Sequence, residues 1–303
     1  HKSLVPPTIP DTILEGVVRK YILCLIVVFA SPVVASDFVS ATHFFPIASR
    51  TDGLAGTQWL TSVQIANPQA DELTITARLS AEGAVESETI VIAPGETRGW
   101  NDFLGDLFSF EGNGALFLEA DADSNGQLPA AMRSFAASMR ISTHGDGGGS
   151  FGQGVLSMNP LSGFLGDWVA YFPGVQLWGQ PGRDGFRTNV GFWNVGLDQA
   201  QMALRILDST GAEMWSQTVT AQRHRPHVMP LPRDLDLETA TLVVEPIGGW
   251  LDCAVYISVV DNITGDAVFL TSQLKDPDGA VGAAGRTAGE PERLAALVRG
   301  AGQ

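Results

Sequence analysis

The sequence predicts an all-β protein made of two tandem antiparallel β-sandwich domains related by internal duplication. Three observations carry this. Trp59-Leu60-Thr61-Ser62-Val63-Gln64-Ile65-Ala66-Asn67 alternates with a period of two, which sets Trp59, Thr61, Val63, Ile65 and Asn67 on one face of a half-buried strand. The pattern returns 127 residues later as Phe186-Arg187-Thr188-Asn189-Val190-Gly191-Phe192-Trp193-Asn194, and its neighbours keep the offset. Phe45-Pro46 matches Phe172-Pro173, while Ile75, Ala77, Arg78 and Leu79 match Met202, Leu204, Arg205 and Ile206. Finally, 34 glycines and 17 prolines punctuate many short apolar runs, the composition of strands joined by turns.

Taken in order, the chain opens on a leader with a signal peptide, residues 1–35. Arg19-Lys20 precede an apolar run from Tyr21 to Ala30, and Ser31-Pro32-Val33-Val34-Ala35 supplies the small residues a signal peptidase reads. The run is shorter than the roughly 20 residues that span a bilayer, so the expectation is export without membrane insertion after cleavage. The first sandwich is assigned to residues 38–164, with strands at 42–47, 59–67, 73–79, 88–93, 97–100, 115–120 and 130–139. Asn67-Pro68 and Pro94-Gly95 make turns, because Asn bonds nearby backbone and Pro fixes its own φ. Residues 101–110 read as a short helical turn or an apolar plug at the sandwich end. A short, turn-rich joint leads to the second sandwich, residues 165–275, with strands at 168–172, 186–194, 203–207, 215–220, 239–245 and 251–260. Residues 276–303, rich in Gly, Ala and Asp at first, read as a flexible tail.

Charge narrows the partners. The formal charge of -15 comes from 33 acidic and 18 basic residues, and Lys275 is the one lysine beyond the N-terminal region. Such a field repels phosphate backbones and anionic headgroups, which excludes nucleic acid and leaves a protein or glycan partner. Cys24 and Cys253 are the only cysteines, and the first lies in the segment expected to be removed, so no disulfide framework is available.

Several motifs invite a chemical reading. Asp121-Ala122-Asp123-Ser124-Asn125-Gly126 has oxygen-bearing side chains at Asp121, Asp123 and Asn125 and glycine at the sixth position, as a calcium loop begins. The twelfth position is Met132 rather than a carboxylate, so the loop is either a looser calcium site, calcium being the one cofactor in view, or a polar hairpin turn. Gly148-x-Ser150-x-Gly152 spells a nucleophile elbow and Gly147-x-Gly149-x-x-Gly152 a dinucleotide loop. Both need a helix to follow, and Gln153-Gly154-Val155 reads as strand. His224-Arg225-Pro226-His227, the one close histidine pair, reads as a solvated loop because Pro226 breaks any shared face. Trp178 lies in a glycine-bearing loop. Trp193 falls on the polar face with Arg187, Asn189 and Gly191, where it either stacks on a sugar or packs against the other domain or a covering loop.

The set Phe45-Pro46, Trp59-x-Thr61-x-Val63-x-Ile65-x-Asn67-Pro68, Ala93-Pro94-Gly95-Glu96-Thr97, Gly114-Ala115-Leu116, Ser138-x-Arg140 and Phe151-Gly152-Gln153 resembles uncharacterised secreted bacterial proteins built of tandem immunoglobulin-like β-sandwich repeats. The likeness covers most of residues 40–275, and the second copy departs from it at Gln222-Arg223-His224, where the Pro-Gly-Glu turn is missing. The resemblance implies an exported, non-catalytic protein and supplies no functional residues. The expected function is therefore a secreted, non-enzymatic binding, adhesion or structural module outside the cytoplasm. Two alternatives stand beside it: a carbohydrate-binding protein using Trp178 or Trp193, and an extracellular hydrolase using Ser150 with a distant His or a carboxylate pair such as Glu96 and Glu119.

Overall fold

The computed structural model describes residues 39–52, 58–121, 133–144, 149–158, 164–180, 183–196, 198–248 and 251–275, all within one compact unit. The expected leader, the expected tail, and Asp123 and Asn125 of the expected calcium loop lie outside the described residues.

Period-two sequence becomes strand along the whole described chain. The first sheet comprises β1 (Thr42–Asp52), β2 (Gln58–Ala66), β3 (Leu73–Ala81), β4 (Ala84–Ile92), β5 (Thr97–Trp100), β6 (Gly112–Ala120), β7 (Ala136–His144) and β8 (Ser150–Val155). Its order is β4-β3-β6-β1-β2-β7-β8, with β5 on β2. The second comprises β9 (Phe164–Gly166), β10 (Val169–Gly179), β11 (Gly185–Asn194), β12 (Ala200–Leu207), β13 (Glu213–Ala221), β14 (Pro226–Pro230), β15 (Leu237–Pro246), β16 (Leu251–Asp261), β17 (Ala267–Thr271) and β18 (Gln273–Lys275). Its order is β13-β12-β15-β10-β11-β16-β17, with β14 on β11, β18 on β10 and β9 on β16. Adding nine to each label of the first path gives the second. All pairings between strands are antiparallel.

One strand in each sheet turns the corner between two layers. β1 pairs with β6 from Thr42 to Arg50 and then, at Thr51 and Asp52, with β2. β10 does the same, pairing with β15 as far as Leu177 and with β11 at Trp178 and Gly179. Proline helps to set the bend, since it has no N–H for the ladder. Register slips between Phe45 and Ala48, around Pro46, and again between Pro173 and Val175.

Each folded-over sheet encloses a core. Phe45, Val63, Ile65, Leu79, Leu116 and Phe135 belong to the first, and Phe172, Val190, Phe192, Leu204, Leu242 and Ile257 to the second. Burying one such side chain stabilises by about 1.5–3 kcal/mol. A short helix α1 (Phe103–Phe108) buries Phe103, Leu104 and Phe108 in the first core, so the expected helical turn and the expected plug are one element. The Asp102 carboxylate caps it by accepting from Gly105 N–H at 3.1 Å, and Arg50 Nε donates to the same carboxylate at 2.8 Å.

Candidate functional site

The residues that repeat in sequence hold strands in place. Thr61 Oγ1 donates to Ser49 C=O at 2.8 Å and accepts from Ser49 N–H at 2.7 Å. At the 127-residue offset, Thr188 Oγ1 donates to Gln176 C=O at 2.9 Å and accepts from Gln176 N–H at 3.2 Å. These bonds satisfy corner-strand backbone that no ladder reaches. Asn67 Nδ2 donates to the carbonyls of Asp71, Ile92 and Ala93, while its Oδ1 accepts from Gln69 N–H. Asn194 Nδ2 donates to Asp198 and Ala221, and its Oδ1 accepts from Gly196 N–H. Arg78 pairs with Glu119 at 2.6 Å, and Arg205 with Glu245.

A third apolar cluster joins the two sheets: Phe44, Ala115, Phe117 and Met158 meet Trp193, Val195 and Ala254. Trp193 is fully buried there, which corrects its reading as an exposed stacking platform. Strand alternation does put it on the face opposite Val190 and Phe192, but the other sheet covers that face, and no ring surface is left for a sugar. Beside it Tyr256 stacks on Phe269 at 5.0 Å, and both pack into the first core although they belong to the second sheet. Burial raises the Tyr256 phenol far above its ordinary value and pushes the Cys253 thiol up to about 12, so neither ionises in neutral solution. Gly191 exists because the Tyr256 ring occupies the space of its missing side chain.

Polar contacts edge this seam. Phe151-Gly152-Gln153 lies on it: Gly152 N–H donates to Asp266 Oδ1 at 3.2 Å, Ser258 Oγ donates to Gln153 Oε1 at 2.7 Å, and Phe151 covers Gly265. Ser150 opens β8, and its hydroxyl accepts from Arg140 at 3.1 Å; the glycine loop runs from strand to strand, without the helix that an elbow requires. His224 is buried rather than solvated, and β14 begins at Pro226 where a loop is expected. His224 C=O accepts from Gly83 N–H at 3.1 Å, its N–H donates to Asn194 C=O at 2.9 Å, and Nδ1 lies 3.3 Å from Ser80 Oγ. Nε2 has no hydrogen-bond partner among the described residues, and burial, then the Arg223 charge, lowers the imidazole pKa.

The remaining candidates are dispersed. Asp121 Oδ1 accepts from Thr76 Oγ1 at 2.7 Å, which ties the start of the expected calcium loop to β3. Glu96 closes a turn by accepting from Ala93 N–H at 2.8 Å and pairs with Arg98; the backbone bond, then Arg98, lowers its pKa. Glu119 is held by a different arginine, Arg78. Among the described residues no three His, Cys, Asp or Glu side chains converge as a metal site needs, and no helix is long and apolar enough to cross a membrane.

One open trough, about 460 Å³, lies between the layers of the second sheet. Phe186, Val259 and Leu270 line it, with Asp261, Asp266 and Val268 on the β16–β17 hairpin side. Trp178 is half-buried, with its ring centroid 5.9 Å from that of Phe186. Sequence reasoning marked Trp178 and passed over the hairpin; two exposed apolar residues flanking an Asp-x-x-x-x-Asp turn are the signal that could have found it.

No protein-family model matches the chain, and no curated protein matches it. Similar solved structures include two of Bacteroides uniformis β-glucuronidase, one of them β-glucuronidase 2 covalently bound to cyclophellitol-6-carboxylate aziridine. Identity to them is 9% and 11%, each at a TM-score of 0.17, with 78% of this chain and 26% of theirs covered. The chain thus spans about a quarter of their length. The infectious bursal disease virus Gx strain structure is 11% identical at a TM-score of 0.17, covering 76% of this chain and 69% of that one. Likenesses of this size carry no weight for fold or activity.

Proposed function

We propose that the protein is a secreted, non-catalytic binding module, built of two duplicated immunoglobulin-like sandwiches fused along their seam. The single observation that supports binding is the trough. The two most exposed large apolar side chains among the described residues, Ile263 at 68% and Val268 at 59%, stand on the one hairpin that borders it. Support for duplication comes from the Thr and Asn bonds repeated 127 residues apart. Support for a non-catalytic role comes from the nominated groups being tied up separately, Ser150 by Arg140, Glu96 by Arg98 and Glu119 by Arg78.

Carbohydrate binding is the second reading, favoured by Trp178 beside Phe186 at the trough floor. A joint assay tests these ideas: the mature protein is screened on glycan and peptide arrays and against chromogenic ester and glycoside substrates. Saturable binding that Val268→Asp weakens, without turnover, is the expected result. Turnover abolished by Ser150→Ala would overturn the non-catalytic reading.

A further inference from the structure

We infer that the trough takes an extended peptide bearing lysine or arginine, added as a strand to the free edge of β17; this deepens the binding reading and rests on it. Among the described residues β17 pairs only with β16. The hairpin closes with Asp261 N–H donating to Asp266 C=O at 2.9 Å, and hydrogen-bonded pairs alternate along an antiparallel ladder. Val259–Val268 and Ile257–Leu270 therefore close inward, and the main-chain groups of Ala267, Phe269 and Thr271 face away from β16. That is a template for strand addition.

Across the trough, β10 competes for nothing. Gln176 already exchanges its N–H and C=O with Thr188 Oγ1, and Gly174, at φ +88°, presents no side chain; a Cβ there would meet only Leu270, at 3.9 Å. An incoming strand would thus find pockets over Phe186 and Leu270 for alternate side chains, with Val268 beside them. The other alternate side chains would reach the hairpin carboxylates. Asp261 uses Oδ1 to accept from Ile263 and Thr264 N–H, and Asp266 uses Oδ1 to accept from Gly152 N–H, which leaves the second oxygen of each for a cation. Arg187 offsets part of the Asp261 charge, and nothing comparable is close to Asp266. The whole chain, at -15, draws the same sign of partner. A sugar would need an open aromatic face, and the only aromatic lining the trough is Phe186, half-buried at the margin of the second core.

The test titrates the full-length mature protein with a fluorescent, end-blocked heptapeptide, Thr-Lys-Val-Lys-Val-Lys-Thr, and with its counterpart carrying Glu for Lys. The Lys peptide is expected to bind saturably and more weakly as salt rises, the Glu peptide not to bind, and Asp266→Asn to weaken binding about tenfold, the loss of one charge-assisted contact. Ala267→Pro removes an outward N–H without touching the inward ladder and is expected to abolish binding; Val268→Asp and slowed amide exchange at Ala267, Phe269 and Thr271 report independently of how that variant folds. Equal binding of both peptides, or none of the Lys peptide, overturns the inference. Glycan-array binding lost in Val268→Asp, with no peptide binding, assigns the trough to sugars instead and leaves the binding reading intact, whereas turnover of a substrate would sink the broader reading first.

Discussion

His224 combines a titratable ring, burial and a left-handed backbone at φ +50°. An added proton would sit on Nε2, which faces no acceptor among the described residues and has the Arg223 charge nearby. The folded-state pKa is thus lowered below the ordinary value of about 6.5, so the unfolded chain binds more protons between the two values. His224 therefore contributes full stability above about pH 6.5 and loses it as pH falls through the lowered folded value. Thermal unfolding of the wild type is expected to shift down more steeply on acidification than that of His224→Gln, and parallel pH profiles would refute this. Gly191 gives a second residue-level prediction. Any side chain there meets the buried Tyr256 ring, so Gly191→Ala is expected to cost about 1–3 kcal/mol, the range for overpacking. Urea unfolding should show partial recovery in the double variant with Tyr256→Leu, because the two sites share one space.

For single elements, buried amides at strand ends do the work that sequence alone assigns to turn chemistry. Asn67 is almost fully buried and joins the end of β2 to the carbonyls of Asp71, Ile92 and Ala93. Asn67→Ala strands those acceptors, each worth about 1–3 kcal/mol when left unmade, and Asn67→Asp additionally buries a charge that cannot donate. Chemical denaturation is expected to rank wild type above Ala and Ala above Asp, with the same order at Asn194. Equal stability of all three would mean that the amide merely fills space. The strand itself was legible: alternation at residues 59–67 predicts β2 within one residue at each end, since one face is core and the other solvent. β1 runs five residues past its predicted end, because it passes from one layer to the other and its polar second half pairs with β2. β14 was hidden by its two prolines, which an edge strand tolerates because its outer N–H groups need no partner.

Taken as a whole, the molecule depends on a difference between its halves that pattern matching cannot see. In the second sheet Trp193 lies opposite Ala254 and Gly191 opposite Tyr256; at the equivalent places of the first, Ala66 lies opposite Ala136 and Gln64 opposite Ser138. The same strand geometry thus carries an apolar outer face in one copy and a polar one in the other. Trp193 sits on the nominally polar side of its strand, so alternation leaves both an exposed platform and a domain contact open for it, and only the neighbouring Phe44 and Phe117 decide between them.

The seam makes the two cores thermodynamically dependent. Tyr256 and Phe269, from the second sheet, complete the first core, so unfolding either half exposes apolar surface on the other. The prediction is one transition in urea, with Trp193 fluorescence and far-UV circular dichroism coincident at a single midpoint. Trp193→Ala is expected to cost about 3–5 kcal/mol, as large aromatic truncations in packed sites do, and to split the transition in two as coupling across the seam is lost. Two separate midpoints in the wild-type protein would show that the sheets fold independently, and the seam would then be a contact rather than part of the fold.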